Sequence, residues 1–136
     1  DLAIGFKQRP RPNEVGTLQI ISDVKDKNVF IVDDIIDTAG TICKASNAIK
    51  SLGAKSVRAM CVHPVLSGNA YENIEASALE ELITTDTIPL KRTSSKITVL
   101  STDKLFAKVI NGVVSSSSIS SLFDYDHFME LDDITF

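Results

Sequence analysis

The chain contains no tryptophan, and its aromatic content is 6%. A core built from it must therefore be mainly aliphatic. It also lacks long apolar runs. The longest are about four residues, such as Val29-Phe30-Ile31-Val32, against the ~18 needed to span a bilayer. The first residues, Asp1-Leu2-Ala3-Ile4-Gly5-Phe6-Lys7, lack the basic start and apolar centre of a signal peptide. Two cysteines, Cys43 and Cys61, make no disulfide framework, and no Asn-x-Ser/Thr sequon occurs. These features point to a cytoplasmic protein that does not enter a membrane. No basic stripe with interleaved aromatics is present, so nucleic acid is not an expected partner.

What is present fits one ordinary domain. The 136 residues are 43% apolar and 24% charged, a globular balance rather than a disordered one. The net charge of -4 is unevenly placed. Asp124, Asp126, Glu130, Asp132 and Asp133 crowd the last thirteen residues without a Lys or Arg. The one basic cluster is Lys7, Arg9 and Arg11, stiffened by Pro10 and Pro12. The chain starts without Met at an apolar run, which reads as a piece of a longer protein.

Val29 to Val32 is β-branched and apolar, bounded by a polar turn and by Asp33. That pattern predicts a strand buried on both faces of a parallel sheet. Ile42, Ala45, Ile49 and Leu52 recur at helical spacing over 41–52, and Gly53 is a natural stop. Val57 to Val62 is the next strand, completing a β-α-β unit. Further on, the pattern predicts a helix over 69–79, strands over 82–84 and 97–100, and a helix from about 103 to 110. Ser115 to Ser118 reads as a loop. At the start, Leu2 to Phe6 reads as strand and Lys7 to Gly16 as an exposed loop or ribbon, because prolines remove ladder donors. Thr17 to Ser22 reads as a returning strand. The alternation argues an α/β domain with a central parallel sheet flanked by helices.

The stretch Val32-Asp33-Asp34-Ile35-Ile36-Asp37-Thr38-Ala39-Gly40-Thr41 lies between strand and helix. Ligands of open α/β sheets bind at such strand ends. The helix start offers orphan N–H groups and a positive dipole end. Thr38 and Thr41 add hydroxyls, and Gly40 permits a close approach or an unusual φ. Residues 37–41 thus form a cup suited to one phosphate. Asp33 and Asp34 suit vicinal hydroxyls or a divalent cation instead. A sugar phosphate satisfies both halves. The alternatives are an ordinary strand-to-helix turn capped by Asp37 or Thr38, and a receiver-like acidic strand end. Neither a Walker A loop nor a dinucleotide fingerprint is present. His63 sits at a strand end with no second His or Cys at ligand spacing. It reads as structural or pocket-lining, with an acid-base role as the alternative, and Ser67 as a cap for the following helix. Neither cysteine reads as a nucleophile.

Taken together, the ordered segments resemble the C-terminal half of the ribose-phosphate pyrophosphokinases, or phosphoribosyl pyrophosphate synthetases. The anchors are Lys7-Gln8-Arg9-Pro10-Arg11-Pro12-Asn13, Val32 to Thr41, Lys50-Ser51-Leu52-Gly53-Ala54, His63-Pro64-Val65-Leu66-Ser67-Gly68, Asp86-Thr87-Ile88-Pro89-Leu90 and Ser120-Ser121-Leu122-Phe123. The resemblance implies a type I phosphoribosyltransferase-like domain over 1–123, with 124–136 as an acidic extension. It implies transfer of a diphosphoryl group from ATP to ribose 5-phosphate with Mg²⁺. Lys7 and Arg9 match catalytic cations of a mobile loop. Asp33 and Asp34 match contacts to the ribose hydroxyls and their metal, and Asp37, Thr38, Ala39, Gly40 and Thr41 match the 5-phosphate site. Ser118 and Ser120 match serines of a loop responsive to inorganic phosphate or ADP, although an acidic residue usually stands where Ser117 is. Gln8 replaces a frequent Arg. The family implies a second, N-terminal α/β domain, and homo-oligomers built from dimers, up to hexamers. A non-catalytic regulatory subunit of that family and a nucleobase phosphoribosyltransferase are the alternatives.

Overall fold

The computed structural model describes the backbone of residues 4–8 and 17–21, and residues 23–123. The chain forms two compact units, residues 1–100 and residues 101–136. The first holds a four-stranded sheet and a separate two-stranded ribbon. In the ribbon, β1 (Ile4–Gln8) runs antiparallel to β2 (Thr17–Ile21), from Ile4 opposite Ile21 to Gln8 opposite Thr17. Lys7 is therefore a paired strand residue, and the strand outlasts the expected end at Phe6. Pro10 and Pro12 come too late to interrupt it. Arg9 to Gly16 lies outside the described residues.

The main sheet has the order β3 (Asn28–Ile36), β4 (Ser56–Pro64), β5 (Glu81–Thr85) and β6 (Ile97–Leu100), all parallel. Helix α1 (Gly40–Ser51) links β3 to β4, and α2 (Ala70–Ala76) links β4 to β5. The helix α2 is shorter than the pattern predicted, because Ser77 is already extended. The helix α1 ends as Gly53 requires. The Gly53 N–H donates to Lys50 O at 3.0 Å and the Ala54 N–H to Ile49 O at 3.4 Å, with Gly53 at φ 90°. This is the paired bonding of a Schellman cap, and the left-handed φ explains the glycine.

The aliphatic core forms where expected. Ile42, Cys43 and Ile49 of α1 and Ala70, Tyr71 and Ile74 of α2 pack against Val57, Ala59, Cys61 and Leu82. A long loop from Asp86 to Lys96 is pinned across this layer. The Arg92 guanidinium lies 4.5 Å from the Tyr71 ring centroid and pairs with Glu72 at 2.6 Å. Lys96 Nζ donates to the Ile74, Glu75 and Ser77 carbonyls at 3.0–3.2 Å, closing the end of α2.

The expectation that Val29 to Val32 is buried on both faces is corrected. Both helices of this unit cover one face. On the other, Phe30 is 50% exposed, Val32 72%, Met60 39% and Val62 44%. The second unit contains α3 (Asp103–Val114), longer than predicted, and a 3₁₀ turn over Ser120–Phe123. No helix among the described residues is long and apolar enough to cross a membrane.

Candidate functional site

The carboxyl ends of β3 and β4 and the start of α1 converge on the acidic loop. The strand β3 does not stop at Asp33, as the polarity change suggested, but continues to Ile36. Asp33 lies opposite Cys61 and Ile35 opposite His63, so the neighbouring strand carries the ladder past the acidic pair. Asp33 and Asp34 are consecutive strand residues and alternate between faces. Both are exposed. Among the described residues their polar contact is local, from the Asp34 N–H to Asp33 Oδ1 at 3.0 Å.

Three residues, Asp37 to Ala39, make the turn into α1. The unusual φ falls on Ala39 at 58°, not on Gly40. Gly40 already belongs to the helix, and a Cβ there would meet only Thr38 Oγ1 at 3.7 Å. Glycine thus leaves open space at the helix mouth. The first intrahelical bond is Cys43 N–H to Ala39 O at 3.0 Å. No side chain caps α1. This removes the reading of the loop as an ordinary capped turn: neither Asp37 nor Thr38 spends its oxygen on the helix. The orphan N–H groups of the first turn remain available to an anion.

Ser67 has a different partner from the one expected. Its hydroxyl donates to the Asp37 carboxylate across thirty residues of chain, and α2 has no side-chain cap. Its N–H donates to Asp37 O at 3.0 Å, and Asn73 Nδ2 donates to Thr38 O at 2.9 Å. Sequence reasoning singled out the His63 to Gly68 segment but missed these long-range links, for which it offers no local signal. His63 Nδ1 bonds Thr87 Oγ1 at 3.0 Å, a structural link between the ends of β4 and β5. No group of three or more potential metal-ligating side chains forms among the described residues.

A cavity of about 220 Å³ opens beside Asp33, lined mainly by Val32, Met60, Cys61, Val62, Ile83 and Leu100. Its lining is largely apolar, in contrast to the polar turn. Burial pushes the Cys61 thiol above its ordinary pKa, against the Thr84 hydroxyl bond that lowers it, and the Asp33 charge adds to the rise. Burial likewise raises Cys43, opposed by Ser77 and Lys96. Folding thus favours both neutral thiols. That stabilisation is present below the unfolded thiol pKa and is lost as pH rises through the raised folded values. Both cysteines are expected to resist iodoacetamide at neutral pH in the folded chain and to react once it is denatured, as read by mass spectrometry. Rapid labelling of the folded chain would contradict this.

Of Lys7 only the backbone, in β1, is described, and Arg9 falls outside the described residues. Ser118 and Ser120 lie in the second unit, exposed, with the Ser120 N–H donating to Ser118 Oγ at 3.2 Å.

A family model described as phosphoribosyl synthetase-associated domain matches residues 7–124. The chain belongs to this family. The matched stretch begins within β1 and runs past the 3₁₀ turn. The chain is 55% identical over 123 residues to a ribose-phosphate pyrophosphokinase of Campylobacter jejuni, covering 90% of this chain and 40% of that protein. It is 48% identical over 126 residues to one of Coxiella burnetii, with the same coverage. The chain therefore spans about 40% of the length of these curated relatives. A crystal structure of phosphoribosylpyrophosphate synthetase from Mycobacterium smegmatis superimposes with a TM-score of 0.72 at 35% identity, covering 74% of this chain and 35% of that one. The α/β fold with a parallel sheet and flanking helices is thereby established for this family member.

Proposed function

We propose that the full-length protein is a ribose-phosphate diphosphokinase. The 1-hydroxyl oxygen of ribose 5-phosphate attacks the β-phosphorus of ATP. The bond from that phosphorus to the α-phosphate oxygen breaks, AMP leaves, and the hydroxyl proton is released. The product is 5-phosphoribosyl 1-pyrophosphate. The observation that carries this reading is the 55% identity to a ribose-phosphate pyrophosphokinase over 123 residues, a span long enough to include the uncapped loop at the start of α1.

Each residue then has a task. The Asp33 and Asp34 carboxylates accept hydrogen bonds from ribose hydroxyls and orient the ring. Asp37 to Thr41 hold the 5-phosphate through backbone N–H groups and the Thr38 and Thr41 hydroxyls. Lys7 and Arg9 offset the charge that develops on the transferring group. Asp33 and Asp34 also fit Mg²⁺. Two exposed carboxylates, with no third ligating side chain grouped beside them among the described residues, match an ion that keeps several waters and takes substrate oxygens. When bound, that ion supplies charge neutralisation of the phosphates. The same reading assigns Ser118 and Ser120 to a loop responsive to inorganic phosphate or ADP, and residues 124–136 to an extension beyond the catalytic-type domain. The two free, buried thiols accord with a cytoplasmic setting.

The test is AMP release from ATP by the full-length parent. Release that requires both ribose 5-phosphate and Mg²⁺ is expected, with little or none from this 136-residue chain alone. No release from folded parent would instead favour a regulatory homologue, and robust release by the chain alone would overturn the need for its longer parent.

A further inference from the structure

We propose that Ser67 and Asn73 are positioning residues that hold the 37–41 loop in its anion-accepting shape. The inference rests on the phosphate role proposed for that loop. Three consecutive carbonyls, the last of β3 and the first two of the turn, are engaged by the segment that follows β4 and by α2. Leu66 N–H donates to Ile36 O at 3.2 Å, Ser67 N–H to Asp37 O at 3.0 Å, and Asn73 Nδ2 to Thr38 O at 2.9 Å. In a trans peptide the carbonyl of one residue and the N–H of the next point in opposite directions. Anchoring these carbonyls therefore turns the N–H groups of Asp37, Thr38 and Ala39 away from the bracing segment. They face the side opposite the brace, where an anion can be met.

Ser67 has a second task. A carboxylate beside a bound phosphate repels it. A short acidic side chain just ahead of a helix also competes for the helix's own N–H groups. The Ser67 hydroxyl engages the Asp37 carboxylate, and α1 is left without a side-chain cap. The brace itself is fixed by the core. Leu66 is 2% exposed and adopts φ 46°, a left-handed conformation that only strong packing holds for a branched residue. The two side chains that make the contacts are partly exposed and can be changed without opening the core.

The test is steady-state kinetics of the full-length parent with ribose 5-phosphate varied. Ser67→Ala and Asn73→Asp are each expected to raise KM about tenfold with kcat altered less than about threefold, the loss of a hydrogen bond to a charged or strained group. Asn73→Asp replaces a donor by an acceptor facing the Thr38 carbonyl. Ser67→Thr keeps the hydroxyl and is expected to retain KM within about threefold. Wild-type KM in both disruptive variants would overturn the inference. So would a parallel fall of kcat and thermal stability that Ser67→Thr fails to rescue. A wild-type parent that releases no AMP would defeat the functional reading instead. Calorimetric titration with inorganic phosphate then decides the brace: weaker binding by Ser67→Ala supports it, and equal or absent binding in both proteins overturns it.

Discussion

Replacing Asp33 and Asp34 together with asparagine is expected to lower kcat/KM for ribose 5-phosphate in the full-length protein by about a thousandfold. Asparagine keeps the shape of aspartate but gives up its charge and part of its acceptor capacity. Two charge-assisted hydrogen bonds at about 1.5–3 kcal/mol each correspond to roughly 10²–10⁴ in rate. Folding is expected to survive, because both side chains are exposed and the Asp34 N–H bond to Asp33 Oδ1 is local. The paired measurement is therefore kinetics with a thermal melt. Unchanged kinetics in a normally melting variant would remove the acidic pair from the site.

Lys7→Ala carries the second large effect, expected in kcat rather than in sugar binding. A cation whose partner is the charge developing on the transferring phosphorus acts mainly in the transition state, and removing such a group typically costs about 10²–10³ in kcat. KM for ribose 5-phosphate is expected to move less than about threefold. Lys7→Arg should recover part of the rate, since the charge returns with a different donor geometry. If KM climbs while kcat holds, Lys7 is a ground-state binding residue and its assignment to the chemistry fails.

The legible parts of this protein were those governed by neighbours in sequence. The β3-α1-β4 unit follows from an apolar run, a 3.6-residue periodicity and Gly53, and the structure carries each of these through. The ends of β3 were not legible. Asp33 and Asp34 look like the start of a loop, yet pairing with β4 extends the strand to Ile36. Ladder formation between distant segments overrides local polarity there. Glycine adopts a left-handed φ freely, which points to Gly40, but the helix claims Gly40 and leaves Ala39 at φ 58°. The same limit applies to Ser67. Capping is a local rule, and its actual partner, Asp37, is thirty positions away. Of the candidate site, the chemistry of residues 33–41 could be read directly, whereas the brace behind it is a product of tertiary packing.

The bare face of β3 and β4 also governs how solution masses should be interpreted. Phe30, Val32, Met60 and Val62 lie on one side of adjacent strands, each at least 39% exposed. Apolar surface of this kind adheres to itself in water, with no symmetry required. A concentration-dependent rise in the mass of the isolated 136-residue chain would thus follow from exposed apolar surface such as this, and would not by itself report the subunit arrangement of the longer protein.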